Sequence, residues 1–383
     1  MRVLGLMSGT SADGVDAVLA EFKGHPHKPK WELINHAFVA YSGDLQTAIV
    51  QAGQGKTFSS SDWLELAEAI TEYQAQAAQT CDPMGVAELI GCHGQTLWHR
   101  PPNASQRGSS WQVLQGPLLA ELLHRPVVHD FRAVDLALNG HGAPLVPMAD
   151  AAILGRIRGW RAVLNLGGIA NLTLIPPFCG PEQNSAVMGW DTGPANSLID
   201  LAIRRFSQGQ LTFDEDGAMA SQGQPHERTI QTWLEEDYFR ISPPKSTGRE
   251  LFGLIDTNRR LKDLKGLKPT DQLATLTAFT AAVIAQDLNL LFERDRIRPV
   301  ELVSAGGGSR NLTLMRELRS RCRGIRLRLS HELGLPSEAR EAMAFALLAW
   351  WHTKGIKGNA PEVTGAKHAA VLGVLAAPSG RIA

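Results

Sequence analysis

Three stretches of this chain concentrate side chains that can do chemistry. The first, Met7-Ser8-Gly9-Thr10-Ser11-Ala12-Asp13-Gly14-Val15-Asp16, packs small residues, hydroxyls and two carboxylates behind an apolar run. Small residues let a ligand approach the backbone closely and expose N–H groups to an anion. Ser8, Thr10 and Ser11 add hydroxyl donors, and Asp13 or Asp16 can hold a magnesium ion that keeps several of its waters. The same residue types dominate ordinary turns, so a well-capped hairpin accounts for the stretch equally well. The pattern GxxxxGK[ST] is absent, so this is not a Walker-A loop. The second stretch, Trp190-Asp191-Thr192-Gly193-Pro194-Ala195-Asn196, sets a carboxylate between a strand and a helix. There Asp191 can cap the helix, or it can act as a base toward water or a hydroxyl, because strand ends of α/β domains are where ligands bind. The third, Leu302 to Asn311, holds Gly306, Gly307 and Gly308 in succession. Three glycines make a flat backbone surface for a ring or a ribose, or a strand-to-helix turn that needs positive φ.

Two further sets lie at strand ends of the first half: His93-Gly94-Gln95-Thr96 and Asp130-Phe131-Arg132. They carry the hydrogen-bonding groups that a sugar or carboxylate ligand needs, and Arg132 can grip a carboxylate at two points. Each residue alone reads as an ordinary satisfied polar group; two such sets at neighbouring strand ends favour a site. Glu341, in the first turn of a late helix, complements the helix dipole in the plain reading. His93 and His99 have no recognised metal-ligand spacing. Lys265 to Lys268 and Arg316 to Arg328 read as solvated faces, and the Trp350-Trp351 pair as core.

The elements that must position these residues follow from periodicity and turn signals. Strands are predicted at residues 3–7, 15–22 and 33–40, then a helix from Ser61-Asp62 through Ala78. A strand at 88–93, a helix at 117–124 and a strand at 127–130 complete the first half. The second half repeats the grammar, with strands at 161–166, 169–175 and 186–190 and a helix from about Pro194 to Phe206. A strand at 301–304, a helix from Asn311, a strand at 325–329 and a helix over 337–352 follow. At 383 residues, two domains are expected. The border falls near residues 150–159, giving domains 1–155 and 156–383, with the final residues free to pack back on the first domain.

Lys and Arg together number 38, as do Asp and Glu, so the formal charge is zero. That balance argues against general attraction to nucleic acid or an anionic membrane. No uninterrupted run of about 18 apolar residues suggests a membrane-crossing helix, and no secretory signal pattern opens the chain. The four cysteines are scattered and form no CxxC pair, which fits reduced thiols and a cytoplasmic location.

Each half opens with a hairpin whose turn is rich in Gly, Ser, Thr or Asn. This organisation resembles the duplicated ribonuclease-H-like domains of the actin, Hsp70 and sugar-kinase superfamily. That resemblance implies two α/β domains facing across an ATP cleft, with both opening hairpins gripping the phosphates; in the second hairpin this points to Gly167, Gly168 and Asn171. More specifically, GLMSGTSADGVD, CHGQTLWH, VLNLGGIANLT, GWDTGPANSLID, SAGGGSRN and REAMAFALLAW, in this order from residue 5 to about 373, resemble the anhydro-N-acetylmuramic acid kinase family. The resemblance implies ATP- and magnesium-dependent phosphorylation of an amino sugar at O6, with water opening its 1,6-anhydro bridge, in a homodimer. It implies that Gly9 to Asp16 form the phosphate loop, that Gly306, Gly307 and Gly308 lie beside the adenosine, and that Asp191 is the general base. His93, Gln95, Asp130, Arg132 and Glu341 are expected to hold the sugar. Ala12 replaces a larger apolar residue usual in the family, and His141 replaces an acidic or amide residue. Competing expectations are a kinase of the same superfamily with another sugar or carboxylate acceptor, and a nucleotide-gated binding module of the chaperone kind.

Overall fold

The computed structural model describes residues 1–380 except Thr10, Ala104, Pro243, Pro244 and Arg249. Two compact units divide the chain: one runs from Met1 to Leu154 and resumes at Gly334, the other spans Gly155–Leu333. Strands β1 (Arg2–Ser8), β2 (Gly14–Lys23), β3 (Lys30–Ala40), β4 (Leu89–Arg100), β5 (Ser109–Val113) and β6 (Val127–His129) belong to the first. The second holds β7 (Arg161–Leu166), β8 (Ile169–Ile175), β9 (Met188–Pro194), β10 (Glu301–Ala305) and β11 (Arg326–Leu329), and β12 (Val374–Ala376) returns to the first.

The sheet of the first unit has the order β12-β6-β4-β1-β2-β3, with β5 paired to β4; the second has β11-β10-β7-β8-β9. Within each, the first three strands are antiparallel neighbours, and two later strands, β4 and β6 in the first unit and β10 and β11 in the second, run parallel to the first. The order 3-2-1-4-5 therefore occurs twice, and each unit is ribonuclease-H-like. Tight-turn hairpins can join only antiparallel strands, whereas the parallel steps require helical crossovers, which the chain supplies each time.

In the first unit, alternate residues of β1 and β2 serve opposite faces. Leu4, Leu6, Ala17 and Leu19 pack on the helix Ser60–Cys81 through Leu66, Ile70, Ala77 and Cys81. That helix starts one residue earlier than Ser61, with Ser59 as its N-cap: Ser59 Oγ accepts from the Asp62 N–H at 3.1 Å, and the Ser59 N–H donates to Asp62 Oδ2 at 2.8 Å. This reciprocal arrangement satisfies two otherwise orphaned donors. On the other face lies the late helix Ala339–Thr353, so the sequence reading is corrected: this helix belongs to the first unit, not to a domain running to residue 383. Gly5 and Gly91 are register partners on β1 and β4, and a Cβ at either would fall 1.9 Å from Ala342 O or 2.2 Å from Phe345 O. The helix backbone therefore lies directly on the sheet at a notch that only glycine leaves open. Arg340 locks it by a buried two-point ion pair with Asp150, Nε to Oδ1 at 2.9 Å.

In the second unit the helix Pro269–Asp295 is central. Ala281, Ile284, Leu288 and Leu291 pack toward the sheet, while Leu273, Leu276, Phe279 and Val283 join a second cluster with Ile199, Trp233 and Phe252. Sequence reading had assigned no element here and had found no candidate span. Among the described residues this is the one helix long and apolar enough by composition to cross a membrane, and most of its apolar stretch is buried in the protein.

Candidate functional site

The β1–β2 turn of the first unit is built from fixed backbone. Ala12 takes a left-handed φ of 53° and its N–H donates to Gly9 O at 3.2 Å, closing a tight turn. Its methyl is fully buried. Gly14 is required by packing, because a Cβ there would meet Val39 O at 2.3 Å and the Phe38 ring, and Val15 is core. That leaves Gly9, Ser11, Asp13 and Asp16 as the open positions; Thr10 lies outside the described residues. Ser11 Oγ donates to Asp13 Oδ1 at 2.8 Å, and Asp16 Oδ1 lies 3.3 Å from His36 Nε2. The turn is braced from beneath. Ser8 Oγ accepts from Gln74 Nε2 at 2.8 Å, and Gln95 Nε2 donates to Gly9 O at 3.0 Å and Thr96 O at 3.2 Å. Gln95 is fully buried, and its Oε1 has no partner among the described residues.

Beside this turn, β4 carries a bulge. Leu6 faces Cys92 but Ser8 faces Gln95, so an extra residue is accommodated where Gly94 adopts φ 77°. Bulges re-aim side chains, and here the residue affected is His93. Its Nε2 receives the Nε–H of Arg132 at 3.0 Å while Nδ1 faces Gly94 O at 2.8 Å. A guanidinium can only donate and a carbonyl only accept. His93 is therefore the neutral Nδ1–H tautomer. Burial, with Arg132 adding to it, holds its pKa well below the usual histidine value. Arg132 also donates to Gly142 O at 2.7 Å. Burial brings its pKa down to about 10, against the pull of Glu341 and Asp135. Asp130, at the end of β6, holds a left-handed φ of 55°, a strained state for a residue with a Cβ. Its carboxylate has no hydrogen-bond partner among the described residues. Glu341 is exposed on the helix that fills the glycine notch, one residue past Arg340. So His93, Arg132, Asp130, Gln95 and Glu341 all belong to the first unit, on β4, in the turn that follows β6, and on the late helix.

Asp135 was missed by the sequence reading. It is fully buried and accepts from Gly142 N–H at 2.8 Å, Asn359 Nδ2 at 2.7 Å and Thr364 Oγ1 at 2.7 Å. It thereby holds the loop whose Gly142 carbonyl receives Arg132, and nothing in its sequence neighbourhood signalled this. The same loop contains His141, whose N–H donates to Thr364 O at 2.8 Å.

In the second unit, Asp191 lies inside β9 rather than at its end. Ala170 faces Gly193 and Asn171 faces Asp191, so Thr192 is the extra residue of a bulge beside the carboxylate. Asp191 does not cap the following helix, Asn196–Phe206. Its N-cap, Ala195, makes no side-chain bond, and the N–H groups of Ala195, Asn196 and Ser197 donate to the carbonyls of Gly168 and Gly167, each at 3.0 Å. The Gly167-Gly168 turn thus spends its carbonyls on capping this helix. The Asp191 carboxylate has other partners: Asn171 Nδ2 on Oδ1, and Ser246 Oγ at 2.9 Å with Thr247 N–H at 3.0 Å on Oδ2. Asn165 Nδ2 donates to Asn171 Oδ1 at 3.4 Å, so a polar row crosses β7, β8 and β9.

The three glycines after β10 separate into different jobs. A Cβ at Gly306 (φ 82°) would meet Asn165 Oδ1 at 2.7 Å, and one at Gly308 would meet Leu166 Cβ at 2.8 Å and Asn196 Oδ1 at 2.9 Å. Both serve packing. Gly307 alone is exposed, with nothing within 4 Å of where its Cβ would be.

The segment that grips Asp191 was also missed from sequence. Asp191 N–H donates to Lys245 O at 2.9 Å, and Tyr238 OH donates to Asp191 O at 2.7 Å. Lys245 itself turns inward: Nζ meets Asp287 Oδ1 at 2.7 Å, while Trp190 Nε1 donates to Asp287 Oδ2 at 3.0 Å. Burial pushes the Asp287 carboxyl up to about 6, outweighing the attraction of Lys245. Burial, then Asp191, raises the Tyr238 phenol.

No group of three metal-ligating side chains occurs among the described residues. Magnesium does not need one, since it takes one or two carboxylates with water and phosphate oxygens. Asp13 and Asp16, each with one oxygen that meets no hydrogen-bond partner among the described residues, fit that requirement. The open Cβ directions at Gly9, with its nearest neighbour at 3.5 Å, and at Gly307 fit the close approach of a polyphosphate or a ribose.

Comparison with known proteins agrees with the motifs. The family model for anhydro-N-acetylmuramic acid kinase matches residues 1–378. The chain is similar to the anhydro-N-acetylmuramic acid kinase of Prochlorococcus marinus (strain MIT 9303), 65% identical over 379 residues, covering 99% of this chain and all of the relative. It is 62% identical, at the same coverage, to the protein of that name from Synechococcus sp. (strain CC9902). Among solved structures it is similar to xylulose kinase from Rhodospirillum rubrum, at 11% identity and a TM-score of 0.47, covering 99% of this chain and 94% of that one. With the whole chain matched and its motifs set on two ribonuclease-H-like units, the protein belongs to the anhydro-N-acetylmuramic acid kinase family of kinases.

Proposed function

We propose that the protein transfers the γ-phosphoryl group of ATP to O6 of 1,6-anhydro-N-acetylmuramic acid while water opens the anhydro bridge. The products are N-acetylmuramic acid 6-phosphate and ADP, a step of murein recycling. The observation that carries the reading is the Asp191 carboxylate: ionised acceptor geometry from three donors, no capping duty, and a bulge beside it.

In this mechanism Asp191 takes a proton from water as the water oxygen bonds to the anomeric carbon. The bond from that carbon to O6 breaks, and O6 leaves onto the incoming phosphoryl group rather than onto a proton. This is inverting glycoside chemistry, in which a carboxylate activates water, but the usual general acid is dispensable because phosphorus captures the charge developing on O6. Open backbone at Gly9 and the Ser11 hydroxyl hold the phosphates, and Gly307 lets the adenosine lie close. Asp13 and Asp16 would hold magnesium, which would neutralise charge on the transferring group. Neutral His93 presents its Nδ1–H side to Gly94, and it aligns Arg132, which with Asp130 and Glu341 binds the acceptor's hydroxyl and carboxylate groups. A cytoplasmic location and a homodimer complete the proposal. Mg-ATP and the anhydro sugar should yield ADP and a reducing 6-phosphorylated sugar in equal amounts. ADP without that sugar, or a preference for an ordinary hexose, overturns it.

A further inference from the structure

We infer that Lys245, anchored in the core by Asp287, is a positioning residue that fixes the orientation of the Asp191 carboxylate; this deepens the proposed role of Asp191 and rests on it. The strand β9 is the edge of its sheet, so its outer backbone groups would otherwise be unpaired. The segment 245–247 supplies the missing pairing. Lys245 O accepts the Asp191 N–H, and the next two residues donate Ser246 Oγ–H and Thr247 N–H to Asp191 Oδ2. Three bonds from consecutive residues thus hold one residue of β9 by both backbone and side chain.

What keeps that segment in register is the Lys245 side chain. Its ammonium and the Asp287 carboxylate are 3% and 1% exposed, 2.7 Å apart. Nζ also donates to Tyr238 O at 3.3 Å and lies 4.8 Å from the centre of the Tyr238 ring. Asp287 takes its remaining bond from Trp190, the residue beside Asp191. Tyr238 in turn donates to the Asp191 carbonyl. A buried ion pair is weak evidence for stability, because apolar residues of similar size do as well or better. Its placement here, with every connection leading back to residues 190 and 191, points to orientation. A carboxylate that must deprotonate water needs one lone pair free and aimed; the grip on Oδ2 fixes the plane of the group. Among the described residues, the charged or titratable groups facing this locus are Lys245 from the segment, Glu250 just beyond it, Asp287 from the long helix, Tyr238, and Asp191 itself.

The test compares wild type with Lys245→Met and with Lys245→Met/Asp287→Leu, which removes both charges and guards against loss of folding from an unpaired Asp287. Steady-state kinetics across pH give kcat and the acidic limb of its profile. Carboxyl-¹³C NMR, with Asp191→Asn for assignment, gives the Asp191 titration without substrates. Losing a hydrogen bond to the charged form raises a carboxyl pKa by about one unit. The expected result is an upward shift of about that size in the NMR titration of both variants. The acidic limb should follow it, with kcat down about a hundredfold and KM values unchanged. A wild-type titration and limb in the folded double variant overturns the inference, whatever its melting point. Normal turnover by Asp191→Asn would instead overturn the base assignment, and the NMR titration would still decide whether Lys245 positions Asp191.

Discussion

Replacing Asp191 by Asn separates chemistry from structure. The side chains are isosteric, so the question is how many hydrogen bonds survive. The amide oxygen can face Ser246 Oγ and Thr247 N–H and keep both bonds now made to Oδ2. The amide nitrogen then faces Asn171, whose carboxamide must flip to accept, giving up its 3.4 Å bond from Asn165. The fold therefore trades one long bond for an altered one, a cost of under about 1 kcal/mol, and the melting temperature should move by no more than roughly 4 °C. The chemistry fares differently, since an amide cannot take the proton of water. General base catalysis contributes roughly 10² to 10⁴ in rate, or about 2.7 to 5.4 kcal/mol of barrier. The loss should appear in kcat alone, with ATP binding by calorimetry and the acceptor KM near wild type. Following ADP release together with reducing 6-phosphorylated sugar distinguishes lost catalysis from uncoupled ATP hydrolysis. Turnover within about tenfold of wild type, in a folded variant, would refute the assignment.

Other substitutions test other parts. Gly307→Ala should leave the melting temperature unchanged and raise the KM for ATP, because its Cβ meets no protein atom; Gly306→Ala should destabilise, since its Cβ would meet Asn165 Oδ1 at 2.7 Å. Gly91→Ala drives a Cβ to 2.2 Å from Phe345 O; overpacking of about 1–3 kcal/mol should lower the melting temperature by roughly 2 to 12 °C. His93 is held neutral, with its folded pKa below the usual 6.5. The unfolded chain therefore binds the extra proton first, so this contribution is complete above pH about 6.5 and is lost as pH falls toward the folded value. His93→Gln, which keeps an acceptor for Arg132, should flatten that part of the melting temperature against pH.

Much of this architecture was legible because its signals are local. Turns rich in Gly, Ser, Thr or Asn between apolar strands marked both hairpins, and the doubled order followed from repeating that grammar. The long helix at 269–295 went unassigned because residues on nearly all its faces are buried, which erases the amphipathic period that reveals a helix. Asp191 was legible as a chemical group but not as a bulge residue, since bulges depend on cross-strand register. Gly306 and Gly308 looked like ligand contacts because a sequence does not say whether a missing Cβ makes room for a ligand or for Asn165 and Asn196. Lys245, Asp287 and Asp135 were invisible for a related reason: their meaning lies in partners 42 residues away for the first pair and up to 229 for Asp135.

The glycine notch of β1 and β4 also sets an order of events during synthesis. The second unit is one continuous stretch and can complete its sheet and helices as soon as residue 333 has left the ribosome. The first unit is made earlier but remains unfinished: until residues 339–353 emerge, one face of β1, β2 and β4 has no cover, and Asp150 has no arginine. Its buried surfaces thus depend on contacts about 190 or more residues apart in sequence, which are slow to form. Nascent chains stalled before residue 339 should expose that apolar face to chaperones, and a truncation removing the last 45 residues should leave the strands that flank the turn at Gly9 to Asp16 without the helix that covers them.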